Sequence, residues 1–153
     1  MSIRYIAIDP GKTGAVAWYD VGEMLVGVKK MPDTLSDLAS LLKQLMLLSK
    51  FSSHRCIVEK TGTYMPGNSG PSACKFSRHC GQIEGMLVGL GIPFEEVSPV
   101  KWMKTLGALP KDKPERKRAI KEQMGRMYPH LKVTLVNADA LGILTYAMQR
   151  GKQ

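Results

Sequence analysis

Two apolar runs in this chain end on an acid, and that pattern limits more tightly than any other how it can fold. Ile6-Ala7-Ile8 closes on Asp9 ahead of Pro10-Gly11, and Cys56-Ile57-Val58 closes on Glu59 ahead of a loop rich in glycine and proline. Runs apolar at consecutive positions suit short strands covered on both faces. A carboxylate at the end of such a strand needs compensation, because burying it unpaired costs several kcal/mol or neutralises it. Taken alone, Asp9 has two readings: a turn-forming residue before Pro-Gly, or a ligand for a metal ion. The rest of the chain decides between them.

With 153 residues and 44% hydrophobic content, the chain is expected to form one domain over residues 1–153. Residues 3–9, 15–19 and 24–30 read as three strands in an antiparallel meander, turned by Asp9-Pro10-Gly11 and Asp20-Val21-Gly22. Asp33 or Thr34 caps a helix whose Leu35, Leu38, Leu41, Leu42, Leu45 and Leu48 keep the 3.6-residue period. A strand over 55–59, a long helix over 72–90, a strand over 93–97 and a helical turn over 99–106 follow. Helices over 114–127 and 137–149 complete the chain. This order predicts an α/β fold, a mixed five-stranded sheet with helices on both faces. In such a sheet the ends of neighbouring central strands converge, so Asp9 and Glu59 meet despite their separation in sequence. Gly81, Gly85 and Gly89 form a stripe on the long helix. That stripe fits close packing on the sheet or the close approach of another helix.

Charge points to the partner. Twenty-two Lys and Arg against 13 Asp and Glu give a net +9 and a pI near 9.6, which suits a polyanion, nucleic acid first. No run of about 18 apolar residues predicts a membrane span, and the N-terminus lacks the layout of a signal peptide. The expectation is a soluble cytoplasmic protein with no membrane partner. Cys56, Cys74 and Cys80 are odd in number and lack a Cys-x-x-Cys pair, so they read as reduced thiols. His79 and Cys80 are adjacent and diverge on a helix, which makes them structural residues rather than a metal pair. Lys101, Lys104, Lys111, Lys113, Arg116, Lys117, Arg118 and Lys121 put eight cations in 21 residues. They read as the phosphate-contacting surface or as a solvated helix face. Lys12, just after the Asp9 turn, is placed to touch DNA at the same site.

A third acid completes the constellation. Asp139 falls in the first turn of the last helix, where the helix dipole alone favours an acid. Beside Asp9 and Glu59 it becomes a third oxygen ligand. Carboxylates without His or Cys partners suit Mg²⁺ or Mn²⁺ better than zinc. In a basic chain the matching chemistry is phosphodiester hydrolysis by two ions about 4 Å apart, with no nucleophilic side chain required.

At these residues the chain resembles the RuvC-type Holliday-junction resolvases of the RNase H-like superfamily, particularly their short phage relatives. The resemblance rests on Ile6-Ala7-Ile8-Asp9-Pro10-Gly11, Ile57-Val58-Glu59, Gly81-Gln82-Ile83-Glu84-Gly85, Val100-Lys101 and Ala138-Asp139-Ala140-Leu141. It implies an RNase H-like fold and a dimeric Mg²⁺-dependent endonuclease of recombination and repair that nicks two opposed strands of a four-way junction. It implies host cytoplasm if the gene is a phage's, and makes Asp9, Glu59 and Asp139 both catalytic and metal-binding. Lys101 and Lys104 resemble the family's lysines near the scissile phosphate. The loop carrying Tyr64 and Met65 matches one that reaches the junction centre, where an aromatic-apolar pair wedges against unpaired bases; the other reading folds Tyr64 back onto the protein. Symmetric cutting requires a twofold dimer, which the resemblance places on the glycine-striped helix.

One position departs from the family. A fourth ligand commonly stands three residues before the acid matching Asp139, and here that residue is Val136. Asn137 is the nearest polar side chain, read as the N-cap accepting from the Ala140 amide and as a weak metal ligand. Three functions stay open: a nuclease for four-way and other branched DNA, a catalytically weakened junction-binding protein, and an RNase H-like enzyme for RNA–DNA hybrids.

Overall fold

A computed structural model describes residues 3–47, 53–62, 67 and 69–151. Five strands form one sheet: β1 (Ile3–Asp9), β2 (Ala15–Asp20), β3 (Leu25–Lys30), β4 (Ser53–Glu59) and β5 (Phe94–Val97). The helices are α1 (Leu35–Leu47), α2 (Gly70–Gly89), α3 (Pro99–Lys104), α4 (Lys113–Met127) and α5 (Ala138–Arg150). The strand order is β3-β2-β1-β4-β5. The first three strands pair antiparallel, while β4 lies parallel to β1 and β5 parallel to β4. The expected mixed sheet is therefore the one observed, with β1 at its centre.

The period of two in β1 explains the layering. Tyr5 and Ala7 point to one face, where the sheet meets Trp102, Ile120, Met124, Leu141 and Leu144 from α3, α4 and α5. Ile6 and Ile8 point to the other, onto Leu38, Leu42 and Leu45 of α1 and Ile83 and Leu87 of α2. Alanines at 7, 15 and 17 keep the first face flat, so α5 seats close on the strands and buries most of its length. Thr34 caps α1, its Oγ1 accepting from the Asp37 amide at 3.0 Å. Leu48, the last leucine of the predicted stripe, lies outside the described residues.

The two readings of the glycine stripe separate here. A Cβ added at Gly81, Gly85 or Gly89 meets nothing within 4 Å, because α2 buries the opposite side through Ile83 and Leu87. Packing of these glycines on the sheet is thus overturned; the stripe faces outward beside the exposed Val88.

Far from the acidic strand ends, a buried ion pair ties β1, β2 and α1 together. Arg4, only 2% exposed, donates to Asp20 through Nε and through Nη2, the latter at 2.9 Å. Its Nη1 donates to the Leu45 carbonyl. Replacing one partner of a buried pair strands the other charge, so Asp20→Asn should destabilise the fold by about 3–5 kcal/mol in urea unfolding. A loss below about 1 kcal/mol, the size of an exposed pair, would contradict this account.

Candidate active site

The parallel register of β1 and β4 sets Ile3 opposite Ser53 and Ile8 opposite Val58. Both strands end one residue later, on Asp9 and Glu59. By alternation Asp9 follows Tyr5 and Ala7, and Glu59 follows Ile57, so both carboxylates emerge on the face that α5 covers. Asp139 stands in the first turn of α5. The turn after Asp9 is built tightly: Gly14 N–H donates to the Gly11 carbonyl at 3.0 Å, and a Cβ on Gly14 would sit 1.9 Å from the Asp9 carbonyl oxygen. Gly11, at φ +101°, takes a conformation that side chains resist. Lys12 is exposed on this turn.

The charges of the three acids act on one another's neighbourhood. Burial, then the charge of Glu59, then that of Asp139 push Asp9 up to about 8, against the opposing pull of Lys117. Glu59 is pushed up to about 7, chiefly by burial; the Trp102 hydrogen bond lowers it, Asp139 raises it and Lys117 lowers it. Burial also raises Asp139, while Lys117, Arg116 and Lys113 pull it down. A cavity of about 120 Å³ is lined by Glu59, Asp139, Trp102, Lys113, Arg116 and Lys117 among others. Half-buried carboxylates that repel one another and meet few donors are short of positive charge. That donor chemistry fits a hard divalent cation. Among the described residues, however, no three His, Cys, Asp or Glu side chains close into a metal-holding group.

Two contacts beside the acids are not assigned by sequence reasoning. Trp102 is 1% exposed, and its Nε1 donates to Glu59 Oε2 at 2.6 Å. Gly142 on α5 makes room for the indole, since a Cβ there would meet Trp102 Cζ3 at 2.5 Å. His79 on α2 accepts at Nδ1 from the Gly11 N–H, at 2.9 Å. Neither contact has a periodic signature; each depends on which elements the fold brings together.

The basic segment divides. Lys113, Arg116 and Lys117 face the acids, while Arg118 and Lys121 line a separate cavity on another side of α4 with Leu131 and Val133. Arg116 also donates to the Lys111 carbonyl at 2.8 Å, bracing the loop before the helix. Lys101, Lys104 and Lys111 are exposed and do not line the acid cavity. Asn137 corrects an expectation: its side chain makes no cap bond to α5. Its Oδ1 accepts from the Thr134 amide at 2.8 Å and its Nδ2 donates to the Lys132 carbonyl at 3.0 Å. The local turn has captured the amide. Val136 is exposed. Tyr64 and Met65 lie outside the described residues.

The sheet order, the parallel β1–β4 pair with its strand-end acids, and helices on both faces define an RNase H-like α/β fold. Solved structures of RuvC share this fold. Thermus thermophilus RuvC in complex with a Holliday junction substrate superposes with a TM-score of 0.58 at 16% identity, covering 97% of this chain and 96% of that one. A further structure of Thermus thermophilus RuvC matches with a TM-score of 0.52 at 16% identity, covering 99% and 97%. No protein-family model matches the sequence, and no curated protein matches it. Among the described residues no helix is long and apolar enough to cross a membrane.

The raised carboxyls set the sign of a pH effect. A group whose folded pKa lies above its unfolded value lends stability at low pH and loses it as pH rises through the folded pKa. For Asp9 that window runs from 3.8 to about 8. Thermal unfolding in chelator should therefore show Tm falling across this range, and Asp9→Asn should flatten the fall and raise Tm at its alkaline end. A profile unchanged by the substitution would contradict the crowding of charge at Asp9. Trp102→Phe keeps the ring but removes the donor that lowers Glu59, so a carbon-detected NMR titration should place Glu59 above about 7. A lower value would mean that the indole does not hold this carboxylate.

Proposed function

We propose that this chain is a divalent-metal-dependent endonuclease for branched DNA, with four-way junctions as its preferred substrate. The carrying observation is the trio Asp9, Glu59 and Asp139 at one end of the sheet, all raised first by burial, Asp9 and Glu59 further by neighbouring carboxylates, and faced by Lys117. The likeness to a RuvC structure solved with a Holliday junction substrate supports the choice of DNA.

In this reading the three carboxylates hold Mg²⁺ or Mn²⁺, in two ions. When bound, the metal supplies a reactive water at neutral pH and stabilises the leaving oxygen. Trp102 fixes one oxygen of Glu59 through its indole N–H. Lys113, Arg116 and Lys117 meet the scissile phosphate. Lys12, Lys101, Lys104 and Lys111 extend the contact to flanking phosphates, which set register rather than sequence preference. Paired nicking of opposed strands needs two such sites on a twofold axis. The open glycine stripe of α2 supports a homodimer with that helix at its centre. The loop with Tyr64 and Met65 is assigned to the branch point.

One observation favours a second reading, a junction-binding protein with weakened catalysis. Val136 stands where the family commonly has a ligand, and both ends of the neighbouring Asn137 amide are engaged by the turn before α5. A second ion would then have few protein oxygens.

The test is nicking of a synthetic mobile four-way junction in Mn²⁺, against a linear duplex and an RNA–DNA hybrid. The nuclease reading expects paired nicks in the junction alone, lost in chelator. Asp9→Asn should cut the rate beyond the roughly 10–100-fold that losing an outer partner costs, with junction binding retained. Tight binding without nicks would establish the second reading, and preferential cutting of the hybrid would refute both.

A further inference from the structure

The His79-Cys80 pair, which the sequence marks and the proposed chemistry leaves unused, lies where α2 crosses both acid-bearing strand ends. His79 Nδ1 accepts the Gly11 N–H at 2.9 Å, two residues past Asp9. One residue on, Cys80 Sγ lies 3.9 Å from Thr61 Oγ1, two residues past Glu59. Phe76, one turn earlier on the same helix face, packs against Gly11 so closely that a Cβ there would meet its ring at 3.0 Å. Three residues of one helical turn thus grip the turn after Asp9 and touch the turn after Glu59. Among these contacts, the one with a fixed direction is the hydrogen bond from Gly11 to the imidazole.

We propose that His79 is a positioning residue of the candidate nuclease site, aiming Asp9 at the metal by holding the turn that follows it; the proposal rests on the metal-dependent reading above. The choice of side chain follows from the charge already present. A half-buried backbone N–H needs an acceptor. A carboxylate in that place would add a fourth negative charge to three that already repel. Neutral imidazole accepts at Nδ1 and keeps its proton on Nε2. Burial, which holds His79 below the ordinary histidine range, favours that neutral form. Because α2 has buried Ile83 and Leu87 on the same side, the ring is carried on a helix fixed to the sheet rather than on a loop.

Two substitutions in the full-length protein separate positioning from simple packing. His79→Phe keeps a ring of similar size and removes the acceptor, whereas in His79→Asn the Oδ1 can take the place of Nδ1. Three readouts are compared: amide hydrogen exchange at Gly11, Mn²⁺ affinity by calorimetry, and affinity for an uncleaved four-way junction in chelator. His79→Phe should speed exchange at Gly11 and weaken Mn²⁺ binding by about tenfold or more, the usual effect of losing an outer-shell partner. Junction affinity should stay at the wild-type level, and His79→Asn should restore both exchange protection and Mn²⁺ affinity. Wild-type Mn²⁺ affinity in His79→Phe would overturn the proposal, as would a His79→Asn variant as weak as His79→Phe. A wild-type protein that binds no Mn²⁺ fails before any substitution is made, and overturns the nuclease reading together with this one.

Discussion

Three carboxylates buried at one end of the sheet, Asp9 and Glu59 crowded further by neighbouring charge, are the condition that the surrounding structure must satisfy. Asp9 and Glu59 stand side by side because β1 and β4 run parallel in a register that ends both strands together. Asp139 joins them because the alanines of β1 and β2 let α5 seat closely on that face. Each acid is held above its ordinary pKa, Asp9 up to about 8. Confined like charge of this kind opposes folding unless donors or a cation offset it. Among the described residues, the offsets include the Trp102 indole N–H and the cations of α4. A bound divalent ion would supply the remainder.

The same constraint accounts for several residue choices nearby. Trp102 reaches Glu59 only because position 142 lacks a side chain. The turn after Asp9 closes only because position 14 lacks one, with Gly11 adding the positive φ. On the other face of the sheet, α2 lends a neutral acceptor to that turn. Basic residues cluster in sequence over 101–121, yet the helical period of α4 sends them apart. Lys113, Arg116 and Lys117 turn to the acids, and Arg118 and Lys121 turn away. Under the proposed function the first group meets the phosphate being cut, and the second is free to contact other parts of a branched substrate.

Much of this architecture is legible in the sequence. Apolar runs ending in acids identified β1 and β4, because strand period and burial are written locally. The leucine period gave α1, and Asp139 followed from its place at a helix start. What escaped were pairings between distant segments. Trp102 is core, but its one polar atom has a second use. Asn137 had the residue type of a cap, and the Thr134 amide and Lys132 carbonyl claimed its side chain first. Gly81, Gly85 and Gly89 had two meanings until the buried side of α2 was known. His79 carries no signal in the sequence because its neighbour points elsewhere and its partner lies 68 residues away.

The account stands or falls on where a divalent ion sits. Crystals of the protein soaked in Mn²⁺ and measured at the manganese absorption edge locate the ion directly. The prediction is anomalous density against the carboxylates of Asp9, Glu59 and Asp139. Full-occupancy density elsewhere, with these three side chains left bare, would contradict it.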